Sequence, residues 1–228
     1  MRAQKSMQAA TEPYVAYGST QELFKATTVG GDYSMPAVKT DEEKPRTAAG
    51  EDLGLPKAGT WFESYDILPT FNAWAQITFV HMYLLTVRLR MFPEGHSKHW
   101  HQNLLDHFFY AAEDRMATFH GMEARSVRNK YLKDLFVQWR GVLLSYDEGL
   151  IKGDAVLAAA VWRNVFAARE DVDMVKVAEI TAWMRKTLKG LERMSDAEIA
   201  AGSLSFEHPK AMSGVVAQPS QGSRVTAQ

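Results

Sequence analysis

An all-α fold, a single helical domain of about five main helices with a short helix before it, is what this sequence predicts. Three observations carry that reading. Apolar residues recur with a helical period: Leu132, Leu135, Phe136, Trp139, Val142, Leu143 and Tyr146 in one stretch, Met174, Val177, Thr181, Met184, Leu188 and Leu191 in another. No segment alternates apolar and polar residues for the length of a strand. The breaks between periodic stretches are short, so successive helices should pack antiparallel.

The first eleven residues, MRAQKSMQAAT, have basic but no acidic side chains, and residues 1–13 are expected to be a transit remnant without fixed structure. A short helix follows over 14–30. Ser19 and Glu22 have the spacing of a capping box at its start, and Gly30-Gly31 stands at its end. Residues 31–60 read as a flexible linker: Pro36, Pro45 and Pro56, the cluster Asp41-Glu42-Glu43-Lys44 and few large apolar side chains.

The helical domain is placed at 61–204. Its first long helix, 70–91, opens behind Pro69 and stops at Pro93-Glu94-Gly95. A second, 98–119, is expected behind a Ser97 cap, with Trp100, Leu104, Leu105, Phe108, Phe109 and Met116. A third covers 126–148 and is broken by Gly149 and Gly153; Asp154 then caps a fourth over 155–167. The fifth spans 172–191, and Ser195-Asp-Ala-Glu198 is a capping box for a last short turn of helix. The Pro-, Ser-, Gly- and Gln-containing segment 205–228 reads as a disordered tail.

The helix over 70–91 is the feature the rest is organised around. Phe71, Trp74, Ile77, Phe79, Val80, Met82, Leu84, Leu85 and Val87 leave it apolar on nearly every side. Such a helix is buried in a core, spans a membrane or holds an apolar ligand. A bilayer span needs roughly 20 apolar residues, and here Asn72, Gln76, Thr78 and His81 would lie in hydrocarbon. Phe71, Trp74, Phe79, His81, Tyr83 and, from a later helix, Trp162 are therefore read as core or as the wall of a groove for something apolar.

Net charge is −1, so any contact with nucleic acid or anionic lipid must come from a local patch. The absence of cysteine excludes a disulfide scaffold, a cysteine-ligated metal and a cysteine nucleophile. His96, His99, His101 and His107 gather around Asp106, but His99 and His101 point to different faces of a helix, and the Glu-x-x-His pattern of di-iron bundles is missing. Asp147 and Glu148 sit where a helix macrodipole disfavours carboxylates, so a neighbouring cation is expected, Arg163 or Arg140. No P-loop, Gly-x-Gly-x-x-Gly or Gly-x-Ser-x-Gly occurs, and no cofactor, metal or catalytic residue is assigned. Arg125, Arg128, Lys130 and Lys133, with Arg88 and Arg90, could form one basic surface able to touch phosphates.

Three blocks resemble the ubiquinol–cytochrome c chaperones, a family of assembly factors for respiratory complex III. They are Pro69 to Arg90, reading PTFNAWAQITFVHMYLLTVRLR; Tyr131-Leu-Lys-Asp134 through Gln138-Trp-Arg-Gly141 to Tyr146-Asp147-Glu148-Gly149; and Leu157-Ala-Ala-Ala-Val-Trp-Arg163-Asn-Val-Phe166. Leu105-Asp-His-Phe-Phe109 and Arg193-Met-Ser-Asp196 add to the likeness, and Tyr14-Val-Ala-Tyr-Gly-Ser-Thr20 extends it upstream. The resemblance implies a non-enzymatic helical protein, peripheral on the matrix side of the mitochondrial inner membrane. It implies three contacts: newly made cytochrome b, a small assembly-factor partner protein, and the mitoribosome. Asp147, Glu148, Gly149 and Arg163 are the polar positions of its motifs. Two other readings compete: an RNA- or ribosome-contacting translation factor without client binding, built on the basic residues, and a metal- or quinone-dependent helical-bundle enzyme, built on the histidines and the Asp147-Glu148 pair.

Overall fold

The computed structural model describes residues 2–37 and 44–218, with side chains described from Pro13 onward. The order is α1 (Arg2–Thr28), a 3₁₀ turn (Val29–Gly31), β1 (Tyr33–Ser34), β2 (Leu55–Pro56), α2 (Trp61–Tyr65), α3 (Phe71–Leu89), α4 (Glu94–Thr118), α5 (Arg125–Lys152), α6 (Asp154–Val165), α7 (Met174–Arg193), α8 (Asp196–Ala200), a second 3₁₀ turn (Pro209–Met212) and α9 (Ser213–Val216). The fold is all-α. Its extended structure, among the described residues, is the two-residue antiparallel pair β1–β2 and one isolated bridge, Arg46 to Asp52.

The architecture follows from α3. Thr70 starts it, its hydroxyl accepting the Ala73 N–H at 3.2 Å. Helices α1, α4, α5, α6 and α7 all pack on it, so every residue from Trp74 to Thr86 is buried. That is why its sequence has no polar face: a neighbour stands on each side. Aromatic rings key the layers together. Trp74 stacks on Phe108 with centroids 5.4 Å apart, Phe79 lies 4.6 Å from Phe108 and 5.3 Å from Trp139, and Tyr83 lies 5.1 Å from Tyr146.

Helix α5 runs past the expected stop at Gly149 and closes at Gly153, whose φ of 108° suits glycine. Gly149 stays inside the helix because it allows α6 to come close: a Cβ there would lie 2.6 Å from the Leu157 Cα. Asp154 enters the first turn of α6 instead of capping it and accepts from Arg185 Nε at 2.9 Å. Ser97 is likewise interior; α4 starts at Glu94, and the Ser97 hydroxyl donates to the Leu89 carbonyl at 3.0 Å. The Ser195–Glu198 capping box forms as the spacing predicts.

Three expectations about the periphery need correction. The segment read as an unstructured remnant, 1–13, is from Arg2 onward part of α1, with Ser19 and Glu22 in the helix interior. Ala, Gln, Lys, Met and Arg are good helix formers and carry the helix upstream. Ser19 donates to the Ala200 carbonyl at 2.6 Å, and Glu22 pairs with Lys25 at 2.6 Å.

The second correction concerns 31–60, read as a flexible linker: its described residues form a strap bound to the bundle. Tyr33 is fully buried, its hydroxyl 3.0 Å from His120 Nε2, while Asp52 holds His120 Nδ1 at 3.0 Å. Asp32 accepts from Arg115 at 2.8 Å and from Lys57 at 2.6 Å. One aromatic anchor and a few ion pairs suffice, which composition does not reveal. The acidic run at 41–43 lies outside the described residues.

The third is the tail. Residues 205–218 dock: Trp183 Nε1 donates to the Glu207 carbonyl at 2.6 Å, Ser213 donates to Glu179, and Met212 is buried. Residues 219–228 of the expected tail lie outside the described part of the chain.

Candidate interaction surface

The six groove-or-core residues divide cleanly. Trp74, Phe79, His81 and Tyr83 are buried; Phe71 and Trp162 are half-buried and pack against the core. His81 sits in an aromatic box, 5.0 Å from Trp61, 5.0 Å from Trp183 and 4.8 Å from Phe206. Its Nδ1 bonds the Ile77 carbonyl one turn back at 2.8 Å. Burial disfavours the imidazolium and lowers its pKa to about 4, so it is neutral at physiological pH. Trp162 anchors the turn after α6, donating to the Arg169 carbonyl at 2.8 Å.

The motif carboxylates find cations other than those expected. Asp147 is gripped by Arg90, Nη1 to Oδ1 at 2.7 Å and Nη2 to Oδ2 at 2.9 Å. The buried Tyr83 ring donates its hydroxyl to the same Oδ1 at 3.0 Å. Burial first, then the Asp147 charge, pushes the Tyr83 phenol above its ordinary value and keeps it a donor. Glu148 bonds Lys152, a turn onward, at 2.6 Å, with Arg163 a weaker electrostatic neighbour. Arg140, the other expected partner, is exposed and takes no part. The sequence could not show that α3 delivers Arg90 across the core to α5.

The six-residue basic surface does not form as one patch. Arg88 is buried and closes the C-terminus of α7, donating to the carbonyls of Leu191 at 3.0 Å and Met194 at 2.7 Å and to Asp196 at 2.7 Å. Arg128 is bound to the Met122 and Glu123 carbonyls, both at 2.7 Å, and to Glu113 at 3.2 Å. Arg90 is committed to Asp147. Arg125, Lys130 and Lys133 remain exposed along α5. The histidines are also dispersed: His101 bonds the Ser97 and Thr86 carbonyls, and His107 lies 3.2 Å from the Thr20 hydroxyl.

One feature escaped the sequence reading. Where the C-terminal parts of α3, α5 and α7 converge, Val87, Met91, Leu150 and Leu188 line an open groove of about 430 Å³. Arg185 and Lys189 also line it. Arg185 is fixed there by the Gly149 and Leu150 carbonyls, both at 3.2 Å. Three helices contribute the apolar wall, so no single periodicity betrays it. Met91 is an exposed apolar residue within it. Among the described residues no helix is long and apolar enough to cross a membrane.

Comparison with known proteins is consistent with this architecture. The model of the ubiquinol-cytochrome C chaperone family matches residues 63–206. The chain is similar to the mitochondrial protein CBP3 of Saccharomyces cerevisiae, 32% identical over 202 residues, which are 85% of this chain and 57% of that one. It is 24% identical to the Xenopus laevis ubiquinol-cytochrome-c reductase complex assembly factor 1 over 139 residues, covering 61% of this chain and 68% of the relative. The chain thus spans little more than half of the yeast relative's length. A crystal structure of the Cbp3 homolog from Brucella abortus superimposes with a TM-score of 0.63 at 16% identity, over 92% of this chain and 98% of that one. That likeness is one of fold, and it takes in segments outside 63–206. With the family pattern running from α2 through the docked residues after α8, this chain belongs to the ubiquinol-cytochrome C chaperone family.

Proposed function

We propose that this protein binds newly synthesised cytochrome b and holds it for assembly into the ubiquinol–cytochrome c reductase complex, together with a small partner protein near the mitoribosome. The setting is the matrix face of the inner membrane, with the protein peripheral to it. The observation that carries this reading is membership of the chaperone family across most of the folded chain. Its role is binding, and no residue is given a catalytic part.

A membrane-protein client presents aliphatic surface that must be kept from water until insertion. Trp74, Phe79 and Tyr83 cannot offer a surface for it, because α3 is enclosed by five helices. The groove of Val87, Met91, Leu150 and Leu188 can, since it is open and apolar and Met91 provides an adaptable contact. A translation factor acting through a broad basic face is less favoured, because Arg88, Arg90 and Arg128 are spent inside the fold.

The test is replacement. Yeast lacking CBP3 and supplied with this chain, targeted to mitochondria, should regain assembled complex III, and newly labelled cytochrome b should co-purify with the chain. Met91→Glu with Leu188→Glu should abolish recovery of cytochrome b while the chain accumulates normally. If the chain restores nothing and retains no cytochrome b, the proposed role is wrong.

A further inference from the structure

Helix α5 carries a second apolar column that no described residue covers. Its buried face is Leu135, Trp139, Val142, Tyr146 and Gly149. On the opposite side Val137, Leu144 and Ile151 are 68%, 73% and 86% exposed. They are seven residues apart, which at 100° per residue places them within about 40° of one another, along roughly 21 Å of helix. Lys130, Lys133 and Arg140 are exposed within an arc of about 80° that includes the column. These three cations have no ion pair or side-chain hydrogen bond with the described residues.

A solvated helix face has no use for valine, leucine and isoleucine in line. Gly141, exposed between Val137 and Leu144, is equally unexplained from within. A Cβ there would meet nothing within 4 Å, so no contact with the described residues requires glycine at a helix position where it costs stability. What glycine provides there is room for another backbone to approach.

We infer that this face binds one amphipathic α-helix of a partner protein, with acidic residues beside the partner's apolar seam. The seven-residue spacing is the period that keeps one column facing a second helix along its length. Lys130, Lys133 and Arg140 call for carboxylates on the opposite helix. A bilayer or an RNA is a poorer fit, because Glu148 stands inside the arc and Asp134 borders it, and both would face phosphate. A second copy is poorer as well, because it would bring the same excess of cations against this one. The inference gives a surface to the small partner of the proposed function and rests on that reading for its biological setting, while its chemistry stands on α5 alone.

The experiment uses the full chain and a fluorescein-labelled 21-residue helical peptide with leucines in a heptad column flanked by glutamates. A peptide with lysine flanks, phosphatidylcholine vesicles containing one-fifth cardiolipin, and poly(U) RNA serve as competing probes. The glutamate peptide should bind and the lysine peptide should not. Leu144→Asp and the pair Lys130→Glu, Lys133→Glu should each weaken binding at least tenfold, with unchanged circular dichroism and melting temperature. The charge-reversed pair should acquire affinity for the lysine peptide. The inference is overturned if the glutamate peptide does not bind, if the variants bind it like wild type, or if wild type prefers the vesicles or the RNA through this face. It is also overturned if wild type self-associates and Leu144→Asp abolishes that. In the yeast replacement, wild type restoring complex III with Leu144→Asp equally active would remove the face from the function and leave the function standing. Failure of wild type would remove the function and leave the peptide result to decide the face.

Discussion

Tyr83 on α3 and Asp147 on α5 meet at 3.0 Å, a buried phenol donating to a carboxylate whose other hydrogen bonds, among the described residues, come from Arg90. The three groups tie the last two turns of α3 to the last two of α5, next to the groove. Tyr83→Phe keeps the ring packing and deletes the donor, so it should cost about 1–2 kcal/mol in urea unfolding. Tyr83→Asp should prevent folding, since it buries a second carboxylate beside Asp147. A folded Tyr83→Asp protein would contradict the burial on which the core reading stands.

Gly149 should tolerate no side chain. Its Cβ would have to share space with the Leu157 backbone, so Gly149→Ala must push α5 and α6 apart despite alanine's better helix propensity. The expected loss is about 1–3 kcal/mol, whereas Gly141→Ala, in open space on the same helix, should gain about 0.5–1 kcal/mol. Melting temperatures of the two variants, compared side by side, check the contrast.

Stability should fall in mild acid because of His81. Folded, its pKa is lowered to about 4 from an ordinary 6.5. Between those values the unfolded chain holds more protons, so stability rises with pH through that window. The contribution is fully present above about pH 6.5 and is lost as pH falls toward 4. It amounts to at most about 3 kcal/mol. His107 and His208, lowered by burial in the same direction, add to it. Urea titrations at pH 7 and pH 5 should show a smaller difference for His81→Gln than for wild type.

The arginines and lysines of the basic stretches should separate by mutation. Arg88→Ala removes the group that satisfies the end of α7 and leaves Asp196 alone, at a cost of about 3 kcal/mol or more. Lys133→Ala, on an exposed face, should stay within about 0.5 kcal/mol of wild type. Equal effects of the two would show that Arg88 is not held as the structure places it.

The sequence alone determined that the chain folds into helices, which stretches form the five main ones, and that 70–91 carries no polar face. It also carried the family likeness. Those properties are local, set by periodicity, caps and the residues along one segment. Helix ends were less legible at Gly149 and Ser97, because their partners, Leu157 and the Leu89 carbonyl, lie on other helices. Only tertiary structure decided that α3 is enclosed by its neighbours, that Arg90 answers Asp147, that Arg88 is buried at the end of α7, and that Tyr33 reaches His120, just past α4, to hold the described part of 31–60 on the bundle. The same holds for the surface. The groove is made by Val87, Met91, Leu150 and Leu188 from segments far apart in the chain, and the α5 column counts as exposed only once every neighbour is in place. A helix's own sequence states which faces are apolar; which of them stays uncovered depends on where the other helices go.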